Sequence, residues 1–345
     1  CLVSCSTSKA ARAELALESP AAKKLAQSYK RILHSLEMRQ DDSKLKDEKT
    51  TLKAELYEPN NVIEPKTLVI LVPGTGKVSR RGETISDGVK KYPSAIELYA
   101  LWAAALLDQG FYVLTYDKRT CTEKINPLCT NKASVEEQSL EVLARDLDDV
   151  YDYAIKKAEF GRVIRMGHTQ AAQVVALSKL AAKEEDQKRA EGLVLLSPIS
   201  GSLEKMLVDG YTKANLKNEA ENKKSFFGKL QKGEFGEHAS FYGTSVKFWK
   251  SWIDASLKTI PNLLKRNQKT LMLFSEKDVF SSESNARQEL KNNENRHNFA
   301  IQSLSNVDKN FLNNQSLGTK AVSEVVRFIK GLKPAPPATA QKTTP

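Results

Sequence analysis

The amino-acid sequence predicts an α/β fold, in which a mostly parallel central sheet carries helices on both faces. Apolar runs of strand length alternate along the chain with longer amphipathic segments, as expected for repeated βα units. Several of these runs are apolar throughout, which is typical of strands that are buried on both faces. The clearest is TLVILVPG at residues 67–74, where Pro-Gly ends the strand.

The predicted elements follow one another in a regular order. Helices are expected over residues 95–110, 134–158, 170–183 and 319–332, and further strands over residues 111–117, 162–167, 192–198, 270–278 and 298–304. Residues 200–265 interrupt the alternation and predict a helical cap insertion, because they are rich in Lys and in aromatic residues. These aromatics either form a small core of their own or line a pocket. They are Phe226, Phe227, Phe235, Phe241, Tyr242, Trp249 and Trp252.

The two ends of the chain differ in composition from its middle. Residues 1–50 are predicted to contain a tether, then a helix over residues 20–40 because apolar residues recur at helical spacing, and then a polar linker. The α/β domain is therefore expected to span residues 51–333. Residues 334–345 are rich in Pro, Ala and Thr, and we expect them to be disordered because they have few apolar side chains to bury.

The N-terminus resembles the lipobox of bacterial lipoproteins, in which apolar and small residues precede a lipid-modified cysteine. Leu2-Val3-Ser4-Cys5 carries this resemblance, so Cys5 is the expected anchor, or Cys1 if the chain begins at the mature residue. A chance pair of N-terminal cysteines is the alternative. The resemblance implies a signal peptide, the lipid bilayer as a partner, and a bacterial cell-envelope location facing the periplasm or exterior.

Two further cysteines flank a short polar loop. In an oxidising compartment Cys121 and Cys129 are expected to form a disulfide, with two free thiols as the alternative. No metal site is predicted there, because no His lies near either cysteine in the sequence. No cofactor is expected.

The chain is basic, with a formal net charge of +11 over 345 residues. This balance indicates a solvated basic surface or, alternatively, attraction to anionic lipid. No nucleic-acid partner is expected, because the sequence has no nucleic-acid motif and its few aromatics do not interleave with a basic run.

Four motifs together resemble the α/β-hydrolase superfamily over roughly residues 50–333. In chain order, LVPGTGKVSRRG (71–82) is similar to the loop that supplies an oxyanion-hole amide, and YDKRT (116–120) to the turn after the next strand. GHTQA (167–171) is similar to the nucleophile elbow, and SEKDVF (275–280) to the turn that carries the triad acid. The order and spacing of all four carry the resemblance more strongly than any one motif does.

The resemblance implies a role for each matched position. Thr169 takes the nucleophile position, Asp278 the acid position, and Lys309 the position where the family has its histidine. The rest of the predicted site is an elbow of Gly167, His168 and Ala171, an oxyanion hole from Thr75 and Gln170, and Arg80 and Arg81. These two arginines either contact an anion or belong to a solvated loop.

Two of these positions bear directly on catalysis. A β-branched residue such as Thr169 tolerates the positive φ of an elbow badly. Ionised Asp278 would stabilise the Lys309 ammonium, so we expect an ion pair between them rather than a proton relay. The sequence favours a catalytically degenerate protein that acts as a binding or interaction module for an unknown small-molecule or protein ligand. The alternative is an atypical ester or amide hydrolase, with Thr169 as nucleophile and Lys309 as base.

Overall fold

The computed structural model describes residues 19–40, 50–82, 97–122, 129, 139–157, 159–179, 190–236, 239–241, 243–266, 268–291 and 293–333. The strands are β1 (Tyr29–Gln40), β2 (Thr50–Pro59), β3 (Thr67–Val72), β4 (Tyr112–Tyr116), β5 (Arg162–His168), β6 (Ala190–Leu196), β7 (Ser240–Phe241), β8 (Thr244–Ser245), β9 (Lys269–Ser275), β10 (Phe299–Leu304), β11 (Leu312–Asn313) and β12 (Ser316–Leu317). The helices are α1 (Pro20–Ser28), α2 (Leu98–Leu107), α3 (Leu140–Ile155), α4 (Gln170–Leu177), α5 (Leu203–Lys213), α6 (Lys217–Gln231), α7 (Val246–Arg266), α8 (Glu283–Leu290) and α9 (Thr319–Gly331).

The described residues form an eight-stranded sheet in the order β1-β2-β4-β3-β5-β6-β9-β10. Strand β2 runs antiparallel to its neighbours β1 and β4, whereas the strands from β4 to β10 pair in parallel. The predicted mostly parallel sheet is thereby confirmed. Because the central strands are parallel, the loops that follow them meet at one edge of the sheet. This carboxyl edge carries the candidate site.

Helices cover both faces of the sheet, as predicted. On one face α3 and α4 bury Leu147 and Val175, and on the other face α2 and α9 bury Trp102 and Val325. Strand β3 is buried along its whole length between these two layers. The apolar run that predicted it therefore reflects burial on both sides.

The helix predicted over residues 20–40 is correct only for its first part. Helix α1 ends at Ser28, and Tyr29–Gln40 is the edge strand β1, paired antiparallel with β2. Two irregularities in the register, between Tyr29 and Arg31 and between Ile32 and His34, disturb the alternation that marks a strand. The sheet accordingly includes residues that precede the predicted domain start at residue 51.

The cap insertion is helical, as the sequence predicted, and consists of α5, α6, the small β7–β8 hairpin and α7. Its aromatics pack on one another. The Phe226 ring stacks on Phe241 with centroids 3.8 Å apart, and Trp249 stacks on Trp252 at 5.3 Å. They belong to a core that is continuous with the one under α3 and α4, and Tyr242 lies outside the described residues. None of the helices in the described ranges is long and apolar enough to cross a membrane.

A disulfide joins Cys121 and Cys129, which are both buried. It closes a loop whose ends are eight positions apart, immediately after β4. In the chain-entropy treatment, a loop of this length stabilises the folded state by about 2.5 kcal/mol.

Replacing both cysteines by Ser is therefore expected to lower the free energy of unfolding by about 2.5 kcal/mol. Urea unfolding of the Cys121→Ser/Cys129→Ser variant, beside the oxidised parent protein, measures this loss. A variant as stable as its parent would show that the bond contributes no constraint.

Candidate functional site

Thr169 occupies a sharp turn between β5 and α4. Its backbone lies at φ 52° and ψ −113°, a region that β-branched residues rarely adopt. Two small residues allow this turn, since a Cβ on Gly167 would lie 2.5 Å from the carbonyl carbon of Ala171. The segment has the strained geometry that exposes a side chain at the top of a sheet.

Two backbone N–H groups lie beside this turn, and we call those of Thr75 and Gln170 the amide pair. Gln170 is the first residue of α4, and Thr75 lies in the loop after β3. Neither N–H has a hydrogen-bond acceptor among the described residues. The hydroxyls of Thr75 and Thr169 are 3.2 Å apart, so the two segments meet. Such a pair can receive a ligand oxygen.

The glycine loop after β3 is held from beneath by two buried side chains. The Gly74 N–H donates to the Tyr99 hydroxyl at 2.6 Å. The Lys118 Nζ donates to the carbonyl oxygens of Gly74 and Gly76 at 3.0 and 3.1 Å, and to the Gln170 Oε1 at 2.9 Å. The loop is thus fixed before any ligand arrives.

Asp278 follows β9 at the same edge of the sheet, and its carboxylate accepts hydrogen bonds from residues of its own turn. The Phe280 N–H donates to one oxygen at 2.9 Å, and the Ser281 hydroxyl donates to the other at 2.8 Å. Asp278 makes no ion pair with Lys309 among the described contacts. The predicted pair is therefore wrong: the carboxylate accepts from donors in its own turn, and Lys309 itself is exposed.

Lys309 contributes its backbone to the site instead of its ammonium. It lies in the loop after β10, where the Asp308 carboxylate accepts from the N–H groups of Asn310 and Leu312. The Lys309 carbonyl oxygen lies 2.8 Å from the His168 Nε2. This contact fastens the loop to the elbow and assigns the proton of the neutral ring to Nε2.

Because Asp278 and Lys309 do not touch, we expect their stability effects to be independent. Lys309→Met should change the free energy of unfolding by no more than about 0.5 kcal/mol, as exposed positions do. In a cycle with Asp278→Leu, the two changes should add to within about 0.5 kcal/mol. Urea unfolding of the four proteins measures the coupling. A coupling energy of about 3 kcal/mol would contradict this and show that the two side chains form an ion pair.

His168 is expected to make the protein sensitive to acid. Burial lowers the pKa of its imidazole below the ordinary 6.5. The unfolded chain therefore takes up a proton near pH 6.5 while the folded protein does not, so stability falls as the pH drops below 6.5. Urea unfolding at pH 7.5 and 5.5 should show a smaller loss for His168→Gln than for the parent protein. Equal losses would assign the acid sensitivity to other groups.

Comparison with known proteins identifies the architecture. No protein-family model matches the chain, and no curated protein matches it in sequence. A thermostable carboxyl esterase of Bacillus coagulans is similar in structure with a TM-score of 0.56 at 12% identity, covering 87% of this chain and 98% of that chain. An esterase of Pyrococcus furiosus is similar with a TM-score of 0.53 at 14% identity, covering 91% of this chain and 94% of that chain. Est1E of Butyrivibrio proteoclasticus is similar with a TM-score of 0.51 at 17% identity, covering 86% of this chain and 99% of that chain.

The chain has the α/β-hydrolase fold. In this fold the loops after β3, β5, β9 and β10 meet at one edge of the sheet, which is where the amide pair, Thr169, Asp278 and Lys309 lie. Three of these loops, after β3, β5 and β9, carry motifs that the sequence analysis matched to the family, and the loop after β10 carries Lys309. The catalytic roles assigned to the residues remain predictions.

A histidine base for this candidate site is not found among the described side chains. His168 faces the Lys309 carbonyl. His297 precedes β10 and lines a groove with Ala190 and Lys269, the first residues of β6 and β9, so it lies at the opposite end of the sheet. The side chains of His34 and His238 lie outside the described residues.

The structure gives Arg80 a different environment from either predicted one. Its side chain is 7% exposed and forms ion pairs with Glu55 at 2.8 Å and Asp117 at 3.2 Å. This pairing fixes the end of the glycine loop against β2 and β4, so Arg80 lies in neither a solvated loop nor an open anion site. Arg81 is half-buried, and its contact with an anion stays a prediction.

Sequence reasoning missed Lys118 and Tyr99 as parts of this candidate site. Lys118 is part of the YDKRT motif, but the sequence does not indicate which groups the amine of a lysine after a strand will contact. Tyr99 lies on a helix whose apolar character predicted burial and nothing more. Both side chains hold the glycine loop through contacts that exist only once the chain has folded.

Proposed function

We propose that the protein is a non-catalytic member of the α/β-hydrolase fold that binds an acyl or carboxyl group at the amide pair. One observation carries this proposal. The Thr169 hydroxyl has the Thr75 hydroxyl as its partner and no basic group among the described residues. A hydroxyl becomes a nucleophile only with a base in hydrogen-bond reach. The turn at Thr169 therefore retains the shape of a nucleophile elbow but lacks, in the part of the chain that the structure describes, a base that would activate its hydroxyl.

The rival function, hydrolysis by Thr169 with Lys309 as base, lacks support from the geometry. It requires a hydrogen bond between the Thr169 hydroxyl and the Lys309 amine, and the described contacts contain none. Lysines that act as bases are shielded from water, whereas the Lys309 side chain is exposed.

The binding function is supported by what the site retains. The amide pair lacks acceptors, and the hydroxyls of Thr75 and Thr169 lie beside it. Two of the similar structures are named as esterases, and a third, Est1E, is described with bound ferulic acid, which carries a carboxyl group. We therefore assign an acyl or carboxyl group as the part of the ligand that this edge recognises.

Hydrolysis of p-nitrophenyl acetate tests the loss of catalysis. We expect the protein and its Thr169→Ala variant to release p-nitrophenol at the same rate, because Thr169 contributes no nucleophile. The matched control is Thr75→Ala, which removes the neighbouring hydroxyl from the same pair. Turnover that disappears in Thr169→Ala and persists in Thr75→Ala would contradict the proposal.

We also propose that the protein is a lipoprotein of the bacterial cell envelope, anchored through Cys5, or through Cys1 if that residue is the mature start. The lipobox-like Leu2-Val3-Ser4-Cys5 supports this, and these residues lie outside the described ranges. Stable attachment takes two or more acyl chains. Mass spectrometry of the protein from membranes should show acyl groups on an N-terminal cysteine. An unmodified N-terminus in the soluble fraction would contradict the proposal.

A further inference from the structure

Lys118 lies two residues beyond the end of β4, buried under the glycine loop with 2% of its surface exposed. Its Nζ donates to three acceptors: Gly74 O, Gly76 O and Gln170 Oε1. All three are amide oxygens, which accept hydrogen bonds and cannot donate them. Three donated bonds require three protons on nitrogen, which only the ammonium form carries. The loop therefore rests on a positive charge.

This contact has a direct consequence for one member of the amide pair. The Gly74 carbonyl and the Thr75 N–H belong to the same planar, trans peptide unit and point in opposite directions. Fixing the carbonyl on Lys118 therefore turns the Thr75 N–H away from Lys118. A cationic donor on the carbonyl also polarises the peptide and strengthens its N–H as a donor.

The same ammonium also reaches the other member of the amide pair. It holds the side chain of Gln170, whose backbone N–H is the second donor. The ammonium also lies 5.9 Å from the centroid of the Phe248 ring, which the cap helix α7 supplies. An apolar ring there limits screening of the charge by water. Loop, elbow and cap thus converge on one lysine.

We propose that Lys118 is the positioning residue of the amide pair and makes the site selective for a carboxylate over a neutral acyl group. This inference rests on the proposed binding function and names its ligand class. A ligand oxygen on the Thr75 N–H would lie roughly 8 Å from the ammonium across one peptide unit. At that distance an attraction through protein persists, and it favours an anionic oxygen over a neutral carbonyl.

The test uses two probes of the same shape, butyrate and butyramide, titrated into ¹⁵N-labelled protein while the Thr75 and Gln170 amide signals are recorded. We expect butyrate to shift both signals saturably, with at least about tenfold higher affinity than butyramide. In Lys118→Met this preference should disappear. Lys277→Met is the matched control, because it removes an exposed lysine from the same edge and should keep the preference.

A second measurement tests the positioning role without any ligand. Backbone order parameters of Gly74, Thr75 and Gly76 should be those of a rigid segment in the parent protein and should drop in Lys118→Met. Lys118→Gln, which can keep a hydrogen bond but lacks the charge, should retain order and lose the preference for butyrate. This variant also serves if Lys118→Met does not fold.

The outcomes separate this inference from the proposed function. Absence of any shift at the amide pair with both probes overturns the binding function, while the order parameters still decide the role of Lys118. Equal affinities for butyrate and butyramide overturn the carboxylate preference. A folded Lys118→Met variant with parental order parameters overturns the positioning role.

Discussion

Replacing Arg119 by Met is expected to lower the free energy of unfolding by about 3–5 kcal/mol. Arg119 and Asp146 are both 2% exposed and pair with each other, with the Arg119 Nε donating to the Asp146 carboxylate at 2.8 Å. Arg119→Met leaves a buried carboxylate without this partner, and such a charge is costly. Urea unfolding of the variant measures the loss.

The double variant Arg119→Met/Asp146→Leu should recover much of this loss, because both buried charges are then absent. The control is Lys205→Met, which breaks the exposed ion pair of Lys205 with Asp209 and should cost less than about 1 kcal/mol. If Arg119→Met is no more harmful than Lys205→Met, the buried pair does not support the turn that carries Lys118.

The second large effect is a gain of activity in Thr169→Ser/Lys309→His. Ser lacks the methyl group that makes the positive φ of the elbow unfavourable for Thr169. An imidazole at 309 places a base on the loop whose backbone carbonyl contacts His168. General-base catalysis contributes about 10²–10⁴-fold, so we expect hydrolysis of p-nitrophenyl acetate to rise by at least about 10²-fold. Initial rates at pH 7.5 measure the gain.

The control for this gain is Thr169→Ala/Lys309→His, which has the imidazole and no nucleophile. It should hydrolyse the ester no faster than the parent protein. A folded Thr169→Ser/Lys309→His variant that stays inactive would show either that an imidazole at position 309 does not reach the hydroxyl at position 169 or that the loop over residues 73–82 does not stabilise an oxyanion.

The sequence could predict the positions of the site because strand order decides them. Apolar runs such as 67–74 mark strands that are buried on both faces, and parallel strands send their following loops to one edge. Thr169, Asp278 and Lys309 therefore lie on loops at the same edge of the sheet, after β5, β9 and β10. The positive φ of Thr169 is accommodated by small residues two positions before and after it, Gly167 and Ala171.

The side-chain contacts could not be predicted in the same way, because they depend on competing local partners. Asp278 accepts from donors two and three residues further along its own turn, so charge alone did not pair it with Lys309. Arg80 is buried by carboxylates from β2 and the turn after β4, which are far apart in sequence. The strand Tyr29–Gln40 was missed because register shifts disturb its alternation.

The central claim is that this α/β-hydrolase fold retains its elbow and amide pair without an active nucleophile. The most direct test is intact-mass spectrometry after incubation with a fluorophosphonate, which reacts with activated hydroxyls in hydrolase sites. We expect no adduct on the parent protein and one adduct on Thr169→Ser/Lys309→His under the same conditions. An adduct on the parent protein that maps to Thr169 and is absent from Thr169→Ala would contradict the claim and make the protein an enzyme.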